Sequence, residues 1–223
     1  PGEFDLPGLD QISPEYRSRT YSLTFIANPN NPTGTQTSRE RLIEYLEFWP
    51  GMIVVDECYY EYSGETVVDL IHRYENLLVF RSLSKGFGLS GLRVGYAVAC
   101  RKNIDWMERH AMTFPINVCA QAAGIAALED VAIYRARIRE LIQEREIMLQ
   151  ELRLWGFDVL SSNANFILIL GPESWHEDQP VRWLAEQGIL VSDQTATMSL
   201  GRPALRVGIG TPSENRRVME VFR

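Results

Sequence analysis

Short, uniformly apolar runs mark the first hundred residues. Residues 21–27 (Y-S-L-T-F-I-A), 52–55 (M-I-V-V), 77–81 (L-L-V-F-R) and 94–99 (V-G-Y-A-V-A) each read as a strand. The second run stops at Asp56. An apolar run without polar alternation is the sign of a strand buried on both faces of a parallel sheet. Between the first two runs, residues 28–34 (N-P-N-N-P-T-G) are turn chemistry. Ser38 then caps a helix over 39–48, with Leu42, Ile43, Leu46 and Phe48 on its apolar side, and Pro50-Gly51 breaks the chain.

After Arg101 the spacing becomes helical. Residues 117–129 are alanine-rich, and 131–155 predict one long helix closed by Gly156. Tyr134, Ile138, Leu141, Met148, Leu149 and Leu152 mark one face of it, a stripe read as packing rather than as a binding face. Beyond it the pattern predicts strands at 157–160 and 165–170, a helix over 179–187, short strands at 189–191 and 204–209, and a last helix after Thr211-Pro212. The predicted fold class is α/β. Residues 1–130 form part of a large domain whose mostly parallel sheet is flanked by helices, and 131–223 form a linking helix and a small α+β domain.

Composition narrows the function. A net charge of −7 argues against sequence-independent nucleic-acid binding, which needs a basic footprint. No apolar run approaches the length of a membrane span, and the first twenty residues hold no signal-peptide core. The three cysteines, Cys58, Cys100 and Cys119, sit far apart in apolar sequence and read as buried, reduced thiols of a cytoplasmic protein. His72, His110 and His176 show no metal-ligand spacing, so no metal is expected. The chain opens on Pro1 and runs almost directly into a strand, which reads as a piece of something longer.

The candidate chemistry centres on Val79–Tyr96. Gly86, Gly88 and Gly91 spell a dinucleotide fingerprint, but Arg93 and an apolar strand follow where a helix and a distant acid are required, so the nucleotide reading is set aside. Lys85 follows Ser82 and Ser84 and precedes Arg93. A phosphate dianion wants hydroxyls and a guanidinium fork, and a lysine amine activated by burial and a neighbouring cation can attach covalently to a carbonyl. Asp56 emerges at the carboxyl edge of the sheet, where open α/β folds bind ligands. Its carboxylate could pair with a protonated pyridine nitrogen or simply form a salt bridge. Tyr59 could reach the ring's phenolic oxygen or merely pack, and Asn31 could donate to the same oxygen or satisfy its own turn.

Taken jointly, these segments resemble the fold-type-I, class I/II pyridoxal-phosphate aminotransferases, most closely the histidinol-phosphate aminotransferase branch. The text that carries the resemblance is N-P-N-N-P-T-G at 28–34, V-D-E-C-Y-Y-E-Y at 55–62, R-S-L-S-K at 81–85, G-L-R-V-G-Y at 91–96 and L-R-V-G-I-G-T at 205–211. The resemblance implies pyridoxal 5'-phosphate as cofactor and a homodimer as assembly. Its small-molecule partners would be an L-amino acid and a 2-oxo acid such as 2-oxoglutarate. Lys85 would hold the cofactor covalently, be displaced by the substrate amine and then carry the proton from Cα. Asp56 would pair with the pyridine nitrogen, Asn31 and Tyr59 would bind the phenolic oxygen, and Ser82, Ser84 and Arg93 the phosphate. Arg206 would clamp the substrate carboxylate in a bidentate pair, with Asn165 nearby.

Two departures stand out. The family is longer at its amino end, where it carries the rest of the cofactor cradle. Histidinol-phosphate aminotransferases also carry an arginine just after the strand corresponding to 189–191, where this chain has Ser192 followed by Asp193, with Arg202 a possible substitute. The alternatives kept open are a decarboxylase of the threonine-phosphate type and an inactive fragment.

Overall fold

A computed structural model describes residues 4–19, 21–172, 175 and 179–223; Pro1 and His176 lie outside the described residues. The chain divides into two compact units, Pro1–Asn30 with Gln36–Arg135, and Asn31–Thr35 with Ala136–Arg223.

The first unit is built on a four-stranded sheet in the order β1 (Leu23–Ala27), β2 (Met52–Asp56), β3 (Leu77–Ser82), β4 (Gly95–Ala99). The first three strands are parallel, with Ala27 beside Asp56 and Asp56 beside Phe80. Helix α1 (Arg39–Phe48) makes the crossover from β1 to β2. The Ser38 hydroxyl accepts from the Arg41 N–H at 3.2 Å and so caps it, while Leu42, Tyr45 and Leu46 are buried against the sheet with Ile53, Val55, Leu77 and Val79. β4 is antiparallel to β3, with Ser82 opposite Gly95. Its apolar run predicted a strand but could not give its direction; the connection at 83–94 holds no crossover helix and folds back on itself, with the Leu83 N–H donating to the Val94 carbonyl at 3.0 Å, so the chain returns antiparallel.

Helix α2 (Arg101–His110) follows, then α3 (Val118–Glu129), whose Ala120, Gly124 and Ala127 are buried. Ala127 joins Leu83 and Phe87 in one apolar cluster, so the small-residue face of α3 supports the reversal that carries Lys85.

The division between units falls inside α4 (Val131–Leu154), which ends near Gly156 at φ +88°. The second unit holds an antiparallel sheet in the order β5 (Asp158–Val159), β6 (Phe166–Leu170), β8 (Ala204–Gly208), β7 (Ser192–Asp193). Ile167, Ile169, Leu205 and Val207 form one core with Met148, Leu149 and Leu152 of α4. Leu184 of α5 (Gln179–Glu186) and Met219 and Phe222 of α6 (Pro212–Phe222) complete it.

Three expectations are corrected. The strand expected at 189–191 lies at Ser192–Asp193 instead, because the Ile189 N–H still donates to the Leu184 carbonyl at 2.9 Å and closes the end of α5. Of the stripe on the long helix, Tyr134 belongs to the first unit, where its ring packs 5.2 Å from that of Phe87. Cys119 is exposed rather than buried, and Cys58 and Cys100 are half-buried. Among the described residues no helix is long and apolar enough to cross a membrane.

Candidate active site

Parallel β1–β3 deliver Asn28, Asp56 and Ser82 to one edge of the sheet, and the connection from β3 to β4 lies on that same edge. A cavity of about 390 Å³ opens there, walled by Asp56, Cys58, Ser82, Ser84, Arg93 and Tyr96 among others. The Asp56 carboxylate accepts from the Cys58 N–H at 3.0 Å. The Ser82 hydroxyl donates to the Val94 carbonyl at 3.3 Å and accepts from the Ser84 N–H at 3.0 Å. Arg93 sits in the left-handed region at φ +57°, a conformation that costs a non-glycine residue about 1–3 kcal/mol and clusters at functional sites. One guanidinium N–H of Arg93 donates to the Ser90 carbonyl at 2.9 Å.

Lys85 lies on the turn that follows β3. The turn is fixed by Gly88 N–H donating to the Lys85 carbonyl at 3.1 Å and by Leu89 N–H donating to the Leu83 carbonyl at 3.0 Å. The expected burial of Lys85 is not found: the residue is exposed, with Nζ 5.7 Å from the centroid of the buried Tyr59 ring. Gly86 and Gly88 have no side chains to cover it, and Phe87 and Leu89 pack instead into the cluster with Leu83 and Ala127. Lys85 and Lys102 are the chain's two lysines, and Lys102 pairs with Glu75 at 3.2 Å.

The remaining predicted residues lie in the second unit. Arg206 donates to the Asn31 side-chain carbonyl at 2.6 Å, and its guanidinium lies 5.2 Å from the centroid of the Phe166 ring. Asn31 belongs to this unit because its turn is pinned there: Asn163 N–H donates to the Gly34 carbonyl at 2.7 Å, and Gly34, at φ +75°, touches Ser162 so closely that a Cβ would overlap it. The Asn165 carbonyl accepts from the Ile209 N–H at 2.9 Å. Ser192 pairs with Arg206 across β7 and β8, while Arg202 is bound to Asp158 at 2.6 Å.

The donor set of the first-unit cavity suits pyridoxal phosphate. It combines a carboxylate for a cationic ring nitrogen with two hydroxyls and a guanidinium for a dianion. The family model for aminotransferases of class I and II matches residues 4–222. The chain belongs to that family. A histidinol-phosphate aminotransferase of Thermoanaerobacter pseudethanolicus is 36% identical over 213 residues, covering 95% of this chain and 58% of that protein. The chain thus spans a little over half the length of the curated relatives it matches. Among solved structures, the histidinol-phosphate aminotransferase of Clostridium acetobutylicum superposes with TM-score 0.82 at 25% identity, covering 90% of this chain and 62% of that one. A decarboxylase from Sulfurospirillum multivorans superposes with TM-score 0.78 at 26% identity, covering 90% of this chain and 60% of that one.

Two features of this class I and II family member escaped the sequence reading. Glu57, next to Asp56, is buried and accepts from Arg81 at 2.8 Å and 3.1 Å, from the Thr66 hydroxyl at 2.7 Å and from the Val67 N–H at 2.8 Å. Arg81 in turn lies 3.5 Å from the centroid of the Tyr60 ring. The pair ties the end of β2 to the end of β3. The available signal was an acid just past one buried strand and an arginine at the end of its neighbour.

The second is Cys58. Burial, then a hydrogen bond and the negative charge of Asp56, push its thiol up to about 12. At pH 8 only about one thiol in ten thousand would be ionised, and alkylation requires the thiolate. Iodoacetamide at that pH is expected to modify the exposed Cys119 and spare Cys58, as read by peptide mapping. Equal rates at the two sites would contradict the environment described for Cys58.

Proposed function

We propose that the protein containing this chain transfers an amino group between an L-amino acid, histidinol phosphate or another, and a 2-oxo acid such as 2-oxoglutarate, with pyridoxal phosphate as cofactor. The observation that carries the proposal is the meeting of Asp56, Ser82, Ser84 and Arg93 around one cavity at the carboxyl edge of the sheet, with Lys85 on the adjoining turn. When bound, pyridoxal phosphate supplies an electron sink for the pair left on the substrate's Cα.

The chain's residues divide the remaining work. Asp56 holds the proton on the ring nitrogen by its negative charge. Ser82, Ser84 and Arg93 would anchor the phosphate, and Tyr59 and Asn31 are the residues that the resemblance assigns to the phenolic oxygen. Lys85 would hold the cofactor and would carry the proton at the substrate's Cα. Arg206 orients the substrate by its carboxylate, with Asn165 beside it. A cytoplasmic homodimer is the assembly we propose, on the strength of the resemblance.

The test is product analysis on the protein supplied with pyridoxal phosphate, amino donors with and without a phosphate group, and 2-oxoglutarate. Glutamate formed in step with a keto product supports the reading. Carbon dioxide release without a keto acid would favour the decarboxylase reading, which the likeness to the Sulfurospirillum multivorans structure motivates. Arg206→Gln is expected to raise KM for the amino acid about 10–100-fold, since it removes a charged bidentate partner, with cofactor affinity kept. An unchanged KM would remove Arg206 from the substrate site.

A further inference from the structure

Glu61 lies in the helical turn Tyr60–Ser63, two residues past Tyr59. Its Oε2 is buried and has no hydrogen-bond partner, the single side-chain atom of that kind among the described residues. Such an orphan is uncommon in native structures and asks for a reason. The surroundings offer no charge to spare. Arg81 of β3 favours the ionised form, but its guanidinium is engaged by Glu57, and Glu57 itself disfavours a second negative charge. Tyr62, buried on the same turn, adds no cation. Burial raises the pKa of the Glu61 carboxyl.

The carboxyl's stem lies flat against Gly86, the residue that follows Lys85. A Cβ at position 86 would come 2.7 Å from Glu61 Cγ, 2.9 Å from its Cβ and 3.1 Å from its Cδ. Gly86 does not have a positive φ, unlike Gly88 at +66°. Its glycine is therefore required by the close approach of Glu61 and not by the path of the backbone.

We propose that Glu61 is a positioning residue for Lys85: its side chain is the bed on which the Lys85–Gly86 turn rests, and a glycine at 86 is what lets the turn reach it. This rests on reading Lys85 as the cofactor's point of attachment. Glu61 acts through the turn and touches neither cofactor nor substrate.

The experiment is a double-mutant cycle on the full chain with E61A, G86A and E61A/G86A, plus E61Q as the shape-conserving control. Two rates are read. One is borohydride-trapped capture of pyridoxal phosphate on Lys85, mapped by mass spectrometry. The other is amide hydrogen exchange of the peptide spanning 83–89 without cofactor. E61A and G86A are each expected to slow capture and speed exchange by about fivefold. The double variant should be no worse than the poorer single one, because removing Glu61 clears the space that a methyl group at 86 needs. E61Q should stay within about twofold of the parent in both rates, since it keeps the shape of the stem. Multiplying effects in the double variant, or exchange that none of the variants alters, would overturn the role of Glu61. Coupled exchange with no capture on Lys85 in the parent chain would instead overturn the attachment reading and leave the bed described here in place.

Discussion

Replacing Lys85 with alanine is expected to abolish covalent capture of pyridoxal phosphate and to lower amino transfer by about 10²–10⁴-fold, the range contributed by one positioned proton-transfer group. The chain makes this test unusually clean. Its other lysine, Lys102, is on α2 and paired with Glu75. Within this chain a borohydride-fixed label on a lysine falls on one of two residues, told apart by peptide mapping, and only one adjoins the cavity lined by Asp56 and Arg93. Lys85 is exposed, so the alanine variant should fold and melt close to the parent, and lost capture could not be blamed on a lost fold. Lys85→Arg keeps the charge near Tyr59 but lacks an amine that can attach, and should fail equally. Labelling of Lys102 at the parent rate in both variants would show that capture is adventitious and would remove Lys85 from the proposal.

The largest stability effect is expected at Arg81. Arg81→Met should cost about 3–5 kcal/mol, because it strands the buried Glu57 carboxylate without its cation. In a chain of this length that would lower the melting temperature by roughly 6–20 °C. Only 2% of the Glu57 side chain and 12% of the Arg81 side chain is exposed, so the surface discount does not apply. Two bonds from Thr66 and Val67 would still reach Glu57, but neither neutralises it. Replacing both partners, as Glu57→Leu with Arg81→Met, should recover much of the loss, since an apolar pair asks for no desolvation of charge. Urea unfolding of the single and double variants measures both. A single variant within about 0.5 kcal/mol of the parent would show that Glu57 finds a partner elsewhere or takes up a proton at little cost.

Much of this architecture is written locally. β1, β2 and β3 follow from apolar runs bounded by Asn28, Asp56 and Ser82, and α1 from its Ser38 cap, because burial and capping act on neighbours in sequence. The grouping of Asp56 with Ser82, Ser84 and Arg93 was legible because parallel strands end on one edge. What escaped depends on partners distant in sequence. The direction of β4 is set by a reversal and not by its own residues. The Glu57–Arg81 pair joins positions on neighbouring strands that no periodicity relates. The exposure of Lys85 reflects what surrounds it, which a motif does not record.

The five residues Asn31–Thr35 also have a meaning for anyone who cuts this gene. The chain leaves the first unit after Asn30, returns at Gln36 and leaves again after Arg135. A clone beginning at residue 136 would therefore lack Asn31, the partner of Arg206, and would expose the face of Ser162 that Gly34 now covers. A shuffled library that swaps the second unit between relatives would have to carry the short segment Asn31–Thr35 along with it. Otherwise it would join an arginine from one parent to an asparagine from another.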